Sequence, residues 1–374
     1  MKRRFNKRRV CHPAGFNFFK HFMKRRGNHH NDSSGRRVLL GLSGGVDSAA
    51  AASLLLQSGC HVTALTFRTV SGDSCERAAK IARTLEIEHI EIDAVDDFYR
   101  DVVRPFIESW RSGETPNPCV HCNRHFKFRR LAEAADRLGC DYIATGHYAQ
   151  LIGEPTHRYL HRAKDRRRDQ SYFLYRLSRA ILDRTLLPLG DYTKHEVRAI
   201  ASSIDTVLGQ VQDSQDICFL GATKLNQFLS KHGLKDAPGY FVDKNGTVLG
   251  EHMGSWRYTE GQRRGLGISL GKRMTVVGKD SEKNLVILGD EQDAMIESLE
   301  LYDVVSIDRI PSVFDATVQL RSQGKAFPAQ VVLGEGDSAS VRFDVPVRLT
   351  SIGQSAVFYE DDRVLGGGIV RRMI

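Results

Sequence analysis

Arg36-Arg37-Val38-Leu39-Leu40-Gly41-Leu42-Ser43-Gly44-Gly45-Val46-Asp47-Ser48, running on into Ala49-Ala50-Ala51-Ala52-Ser53-Leu54-Leu55-Leu56, decides the fold of this chain. The apolar run Val38 to Leu42 predicts a buried strand. The Ala/Leu-rich run after Asp47 has strong helix propensity, and Gly59 offers a stop. Between them, Ser-Gly-Gly-Val-Asp-Ser joins strand to helix. Two glycines let the backbone turn sharply and approach a bound group, and the helix behind presents free N–H groups and its positive dipole end. The segment therefore reads as a phosphate cradle. It is not a Walker loop, because no Gly-Lys-Ser/Thr closes it.

Outward from this unit, strands and helices alternate. His61 to Phe67 predicts a second strand, Ser74 to Leu85 a helix, Ile87 to Ile92 a third strand and Val95 to Trp110 another helix; Cys140 to Tyr148 begins as a strand. The alternation predicts an α/β fold with a doubly wound, mainly parallel sheet. Its ligands would bind beyond the carboxyl ends of the strands, where Ser43–Ser48 and Thr145–Tyr148 would fall. Near residue 228 the character changes to short stretches broken by Pro238-Gly239, Asn245-Gly246 and Gly265-Leu266-Gly267. From about Leu299, short β-branched runs separated by Gly or Asp turns predict a small antiparallel barrel. The expected organisation is a basic tail at 1–35, a nucleotide-binding domain at 36–228, a small central module at 229–297 and a C-terminal β-barrel at 298–374.

At 374 residues the chain is long enough for two or three cores, and its apolar runs are too short to span a bilayer. The seven cysteines fall at irregular spacing with no hydrophobic signal segment ahead of them. They point to a reducing compartment, where thiols serve metals or catalysis. The net charge of +9 sits in residues 1–35, which carry ten Lys/Arg and only Asp32; the remaining 44 basic and 44 acidic residues balance. A nucleic acid would therefore be held by local patches rather than by an overall field. The tail reads equally as a solvated arm, an RNA-touching arm, an Arg-rich targeting peptide, or sequence ahead of a start at Met23.

Two further stretches carry chemistry. In Thr115-Pro116-Asn117-Pro118-Cys119-Val120-His121-Cys122-Asn123, two prolines make a rigid loop ahead of a helix opening at Phe126. A thiol there, with His121, Arg124, His125 and Lys127 close in sequence, is expected to have a lowered pKa. A zinc ribbon would need a second Cys-x-x-Cys pair, and none exists. In Asp213-Ser214-Gln215-Asp216-Ile217-Cys218-Phe219-Leu220, Cys218 on its own reads as a small buried side chain.

The SGGVDS loop resembles that of the PP-loop ATP pyrophosphatases. SGGVDS, TPNPCVHCNRHFKF, ATGHYA, RDQSYFLYRL, DSQDICFL, GYFVDKNGTVLGEHMGSWRYTEGQRRGLGI and GQSAVFYEDDRVLGGG, in this order, resemble the tRNA-specific 2-thiouridylases (the MnmA/TrmU family) from about Arg36 to the C-terminus. The resemblance implies that ATP adenylates the 2-oxygen of the wobble uridine (position 34) of tRNA and that persulfide sulfur displaces AMP. Cys122 would be the nucleophile and Cys218 the persulfide carrier. ATP would contact Gly41, Leu42, Ser43, Gly44, Gly45, Val46, Asp47, Ser48, Phe67 and Gly146, with Asp47 helping to place Mg²⁺. Asn117, Pro118, Cys119 and His147 match positions that meet the flipped base. Arg168, Asp169, Gln170, Arg321, Ser322 and Gln354 match tRNA contacts. The implied partners are tRNA and a sulfur-donor protein, either a cysteine desulfurase or a sulfur-relay carrier. No membrane is implied. The expected location is cytoplasmic, or organellar if the tail is a transit peptide.

Cys119 stands where many members of the family have Asp. Cys119, Cys122 and Cys218 are thus also a candidate ligand set for a 4Fe–4S cluster, a different route for sulfur delivery. The segment from Phe67 to Cys75 looks short for the family, and Arg168 replaces a usual Lys. Two rival readings are a different PP-loop adenylating ligase, which would not need Cys122 or Cys218, and a catalytically silent RNA-binding protein.

Overall fold

The computed structural model describes residues 35–69, 74–210, 217–269 and 271–374. The basic tail, residues Asp213 to Asp216 and most of the short segment after Phe67 lie outside the described residues.

The first layer is a five-stranded parallel sheet. Its strands are β1 (Arg37–Gly41), β2 (His61–Arg68), β3 (Glu88–Asp93), β4 (Tyr142–Ala144) and, at the far edge and after a hairpin of β5 (Ala149–Glu154) and β6 (His157–Arg162) in sequence, β7 (Thr185–Leu186). The order is β3-β2-β1-β4-β7, so the chain winds outward both ways from β1. β1 lies between two neighbours and is buried on both faces, which is why Val38, Leu39 and Leu40 read as an unbroken apolar run. Helices α1 (Val46–Gln57) and α2 (Ser74–Thr84) cover one face. All four alanines, Ala49 to Ala52, are fully buried there, so α1 packs flat with small side chains. The opposite face takes the helix at Phe128–Leu138, whose Phe128 and Leu131 are wholly enclosed. The expected helix from Val95 runs through residues 95–111 with a π-helical turn at Tyr99–Val103.

The central module is a four-stranded sheet of β8 (Gly239–Val242), β9 (Val248–His252), β10 (Thr275–Asp280) and β11 (Leu285–Gly289), ordered β10-β11-β8-β9 around Phe241, Val276, Val286 and Leu288. The last region closes into a six-stranded antiparallel barrel. Its strands are β12 (Met295–Ser306), β13 (Val313–Gln319), β14 (Ala326–Leu333), β15 (Ala339–Arg348), β16 (Ser355–Glu360) and β17 (Arg363–Met373), and β12 pairs with β17 to shut the ring. Closure removes the exposed edges an open sheet would carry.

One arrangement was not legible in the sequence. The hairpin β5 (Ala149–Glu154) and β6 (His157–Arg162), which interrupts the first domain in sequence, leaves the parallel sheet and adds to β17 of the barrel. Tyr172 and Tyr175 lock the same junction: Tyr172 donates to the Ser355 carbonyl at 2.8 Å and Tyr175 to the Ser355 hydroxyl at 3.2 Å. No described helix is long and apolar enough to cross a membrane.

Candidate active site

The SGGVDS turn sits at the carboxyl end of β1, where a central parallel strand hands over to α1. Gly44 has φ +76°, the left-handed region that glycine enters without strain, and Gly45 at the helix N-cap offers no side chain to occupy the first amides. Ser48 braces the mouth. Its hydroxyl accepts from the Ser43 N–H at 3.2 Å, donates to the Gly45 carbonyl at 3.1 Å and lies 3.1 Å from the Ser43 hydroxyl. Ser43 itself is exposed, so its hydroxyl faces whatever binds. Gly41, Leu42 and Val46 hold the turn from below, with Leu42 and Val46 buried.

Gly146 lies against this loop. A Cβ there would stand 2.8 Å from the Asp47 carbonyl carbon and 2.9 Å from the Ser48 nitrogen, so only glycine permits the approach. Next to it, Tyr148 donates to Oδ1 of Asp47 at 2.7 Å, and Lys194 reaches the same oxygen at 2.7 Å. Lys194, which is buried, was not singled out in the sequence. A Thr193-x-x-Glu196 capping box marks the start of its helix, Lys194–Ile204, but nothing local says that the lysine points to Asp47. Both contacts fall on Oδ1 of Asp47.

The cysteine loop is built by capping. Asn117 accepts from Cys119 N–H and Val120 N–H at 3.2 and 3.3 Å, opening a helix at Pro118–Cys122 with proline in its first turn. A π-helical turn, Asn123–Lys127, follows, and the chain continues into Phe128–Leu138. Behind the loop a chain of edge-on aromatic contacts runs Phe67–Phe126–Phe98–Phe219–Phe106, with centroids 5.2 to 6.0 Å apart. Phe219 is buried in this cluster and Cys122 packs against it, which brings Cys218 into the neighbourhood of Cys119 and Cys122 across some hundred residues of sequence. Phe67, an expected ATP contact, is one end of this chain of rings.

The expected low thiol pKa does not hold. Cys122 is pushed up to about 11 by burial, with Lys127 opposing. Cys119 and Cys218 are exposed at the surface, so Cys218 is not the small buried side chain its segment suggested; partial desolvation still raises both thiols, with Lys127 again pulling down and the Cys218 charge adding a further rise at Cys119. The basic neighbours fail for identifiable reasons. His121 and His125 are themselves held neutral by burial, His125 down to about 4, and their rings stack 4.4 Å apart. Arg124 is turned to Asp303 at 3.3 Å. Desolvation outweighs the one cation left. Among the described residues no three His, Cys, Asp or Glu side chains converge as metal ligands.

His147 stacks on Phe128 with centroids 5.6 Å apart, its Nδ1 lies 2.8 Å from the Thr145 hydroxyl, and burial holds it neutral. The turn Thr145–Tyr148 thus touches the phosphate loop through Gly146 and Tyr148 and the helix that follows the cysteines through His147.

The remaining sequence candidates have mixed placements. Asp169 is buried and accepts from Arg162, Ala163 N–H and Ser171, so its carboxylate is committed internally. Gln170 pairs with both backbone groups of Tyr148, at 2.9 and 2.7 Å. Arg168 is half-buried beside them. Gln354 donates to the Thr115 carbonyl at 2.8 Å. Arg321 donates to the Leu349 carbonyl at 3.1 Å but stays exposed, and the carbonyl of Ser322 accepts from Gln319.

A parallel α/β sheet whose first strand opens onto a glycine-rich, anion-accepting helix N-terminus defines the HUP, or PP-loop, class. Family models match accordingly: a tRNA methyl transferase HUP domain over residues 36–222, a tRNA methyl transferase PRC-barrel domain over 226–290 and an aminomethyltransferase β-barrel domain over 298–370. The tRNA-specific 2-thiouridylase MnmA of Acetivibrio thermocellus is 38% identical over 358 residues, covering 90% of this chain and 100% of that protein. That of Syntrophotalea carbinolica is 41% identical over 344 residues, covering 89% and 98%. The chain belongs to the tRNA-specific 2-thiouridylase family. A solved 4-thiouridine synthetase–RNA complex with bound ATP is 19% identical, covers 52% of this chain and 50% of its own, and has a TM-score of 0.34, too slight a likeness to bear on function.

Proposed function

We propose that the chain catalyses ATP-dependent 2-thiolation of the wobble uridine of tRNA, with Cys218 carrying the sulfur as a persulfide and Cys122 as the nucleophile. The observation that carries this reading is the convergence of the two segments bearing Cys122 and Cys218 on one aromatic cluster.

The residues divide the work by position. Gly44, Gly45 and the first amides of α1, with the Ser43 hydroxyl, would receive the ATP phosphates. Uridine O2 attacks the α-phosphorus and pyrophosphate leaves, turning the oxygen into an AMP leaving group. The terminal sulfur of the Cys218 persulfide, supplied by a sulfur-donor protein, adds at C2 and AMP departs. The Cys122 thiolate then attacks the Cys218 sulfur, which frees the 2-thiocarbonyl and leaves a Cys122–Cys218 disulfide for a thiol reductant to open. Neutral His147 and the Asn117–Cys119 turn would face the extruded base. Arg168, Arg321 and Ser322 would meet the RNA backbone.

The test is ATP-dependent thiolation of a tRNA transcript, with pyrophosphate release and iron content measured in parallel on anaerobically purified protein. Loss of thiolation in Cys122→Ala and in Cys218→Ala, its survival in Cys119→Ala, and no iron requirement support the reading. Four irons per chain with activity that tracks them would sink it in favour of a cluster.

A further inference from the structure

The loop that carries Cys119 and Cys122 is gripped from outside its own domain. The Thr115 N–H donates to the Ile352 carbonyl at 2.8 Å, and the Gln354 side-chain amide donates to the Thr115 carbonyl at 2.8 Å. The barrel turn thereby takes both backbone groups of Thr115, as a paired strand would. Gly353 lies between the two, at φ +88°. A Cβ on it would stand 2.9 Å from Cβ of Glu114 and 3.1 Å from the Thr115 nitrogen. Tyr302 of β12 donates to Glu114 at 3.2 Å. From the central module, the Thr259 hydroxyl lies 3.5 Å from that of Thr115.

From Thr115 the chain has little slack. Pro116 and Pro118 restrict the backbone on either side of Asn117, and Asn117 is the cap that opens the Cys119–Cys122 turn. Displacing Thr115 therefore displaces the thiols. We infer that the barrel turn Ile352–Gln354 positions the cysteine loop, with Gln354 acting through the Thr115 carbonyl. Gln354 is a positioning residue in this account, separate from any contact it makes with RNA. RNA pressing on the barrel would load the same turn, joining substrate docking to cysteine placement.

For its effect on turnover the inference rests on the proposed role of Cys122, so the test has a readout that does not. In the full chain, Gln354→Met keeps the volume and removes the donor, and Gly353→Ala disturbs the same contact with Gln354 intact. Gln354→Glu, which sets a carboxylate against the Thr115 carbonyl, serves if the alanine chain does not fold. Four quantities are measured: hydrogen exchange of amides 115–122, iodoacetamide alkylation of Cys122, kcat at saturating tRNA, and tRNA affinity. The expected result in both variants is faster exchange confined to that segment, alkylation up by about tenfold and kcat down by about tenfold, with tRNA affinity within about twofold in Gly353→Ala, a position given no RNA contact. Unchanged exchange and alkylation in Gln354→Met, with or without weaker tRNA binding, would overturn the inference. If Cys122→Ala keeps its thiolation activity, the reaction scheme fails while the exchange result still decides the positioning.

Discussion

The ammonium of Lys194 sits 2.7 Å from Oδ1 of Asp47, joining the start of a late helix to the phosphate loop across 147 positions of sequence. The pair is asymmetric: the lysine side chain is 10% exposed and the aspartate 36%. A buried cation beside the amino end of α1 adds to the positive end of the helix dipole, and Asp47 fixes it there.

Replacing Lys194 with Met should therefore cost more than a surface ion pair would. The expected loss of tRNA-dependent pyrophosphate release at saturating ATP is about tenfold to a hundredfold, the range for one charge-assisted hydrogen bond. Arg, with its larger planar head, should not restore it fully. Wild-type turnover in Lys194→Met would remove the lysine from the nucleotide site.

Gly146→Ala tests the loop from the other side. Its Cβ would meet the Asp47 carbonyl carbon at 2.8 Å, so the phosphate loop or the Thr145–Tyr148 turn must shift. Overpacking of this kind costs roughly 1–3 kcal/mol. Calorimetric titration should find ATP affinity down by about tenfold or more while circular dichroism stays unchanged. Unaltered ATP binding would mean the loop tolerates displacement.

The third prediction concerns pH. Burial lifts Cys122 to about 11, so at pH 8 roughly one thiol in a thousand is ionised, against about one in ten for a thiol of pKa 9. Alkylation of Cys122 should be about a hundredfold slower at pH 8 than that of such a thiol, and should climb until about pH 11. Lys127→Met should move the profile higher still. The linkage has a definite sign. A thiol raised in the folded state holds its proton while the unfolded chain loses it, so stability falls as pH rises from about 9 to about 11. A Cys122 titration near 8 would show that Lys127 outweighs burial.

These cysteines show what the sequence can and cannot convey. Val38–Leu42, SGGVDS and the alanine run were legible because strand, turn and helix propensity are local and agree. The barrel strands were legible through their period and turns. The ionisation of Cys122 was not, because burial among Phe126, Phe98 and Phe219 comes from three separate segments. The family resemblance assigns Asp169, Gln170 and Gln354 to tRNA contacts. Their carboxylate and amides turn inward to Ser171, Tyr148 and Thr115, partners that only the packed domains supply. The hairpin β5–β6 was missed for the same reason: its partner strand, β17, lies two hundred residues away.

The last prediction concerns the junction behind the cysteine loop. Glu260 and Lys279 face each other at 3.9 Å with side chains 1% and 2% exposed, and Glu260 Oε2, Lys279 Nζ and the neighbouring Trp110 Nε1 have no hydrogen-bond partner. Burial raises Glu260 and lowers Lys279, disfavouring both charges, and each partner's charge works against the other's shift without cancelling it. An enclosed pair at this distance gains too little attraction to offset its desolvation well, yet removing one partner strands the other. Lys279→Met or Glu260→Gln alone should destabilise by about 3–5 kcal/mol, whereas Glu260→Leu with Lys279→Met should be neutral or more stable. Thermal melting of the three variants reads this directly. The double variant should also keep its thiolation rate, because Gln354, Gly353 and Tyr302 still hold Glu114 and Thr115. A double variant that melts as low as either single one would mean that packing around Trp110, rather than charge, sets the stability of the junction.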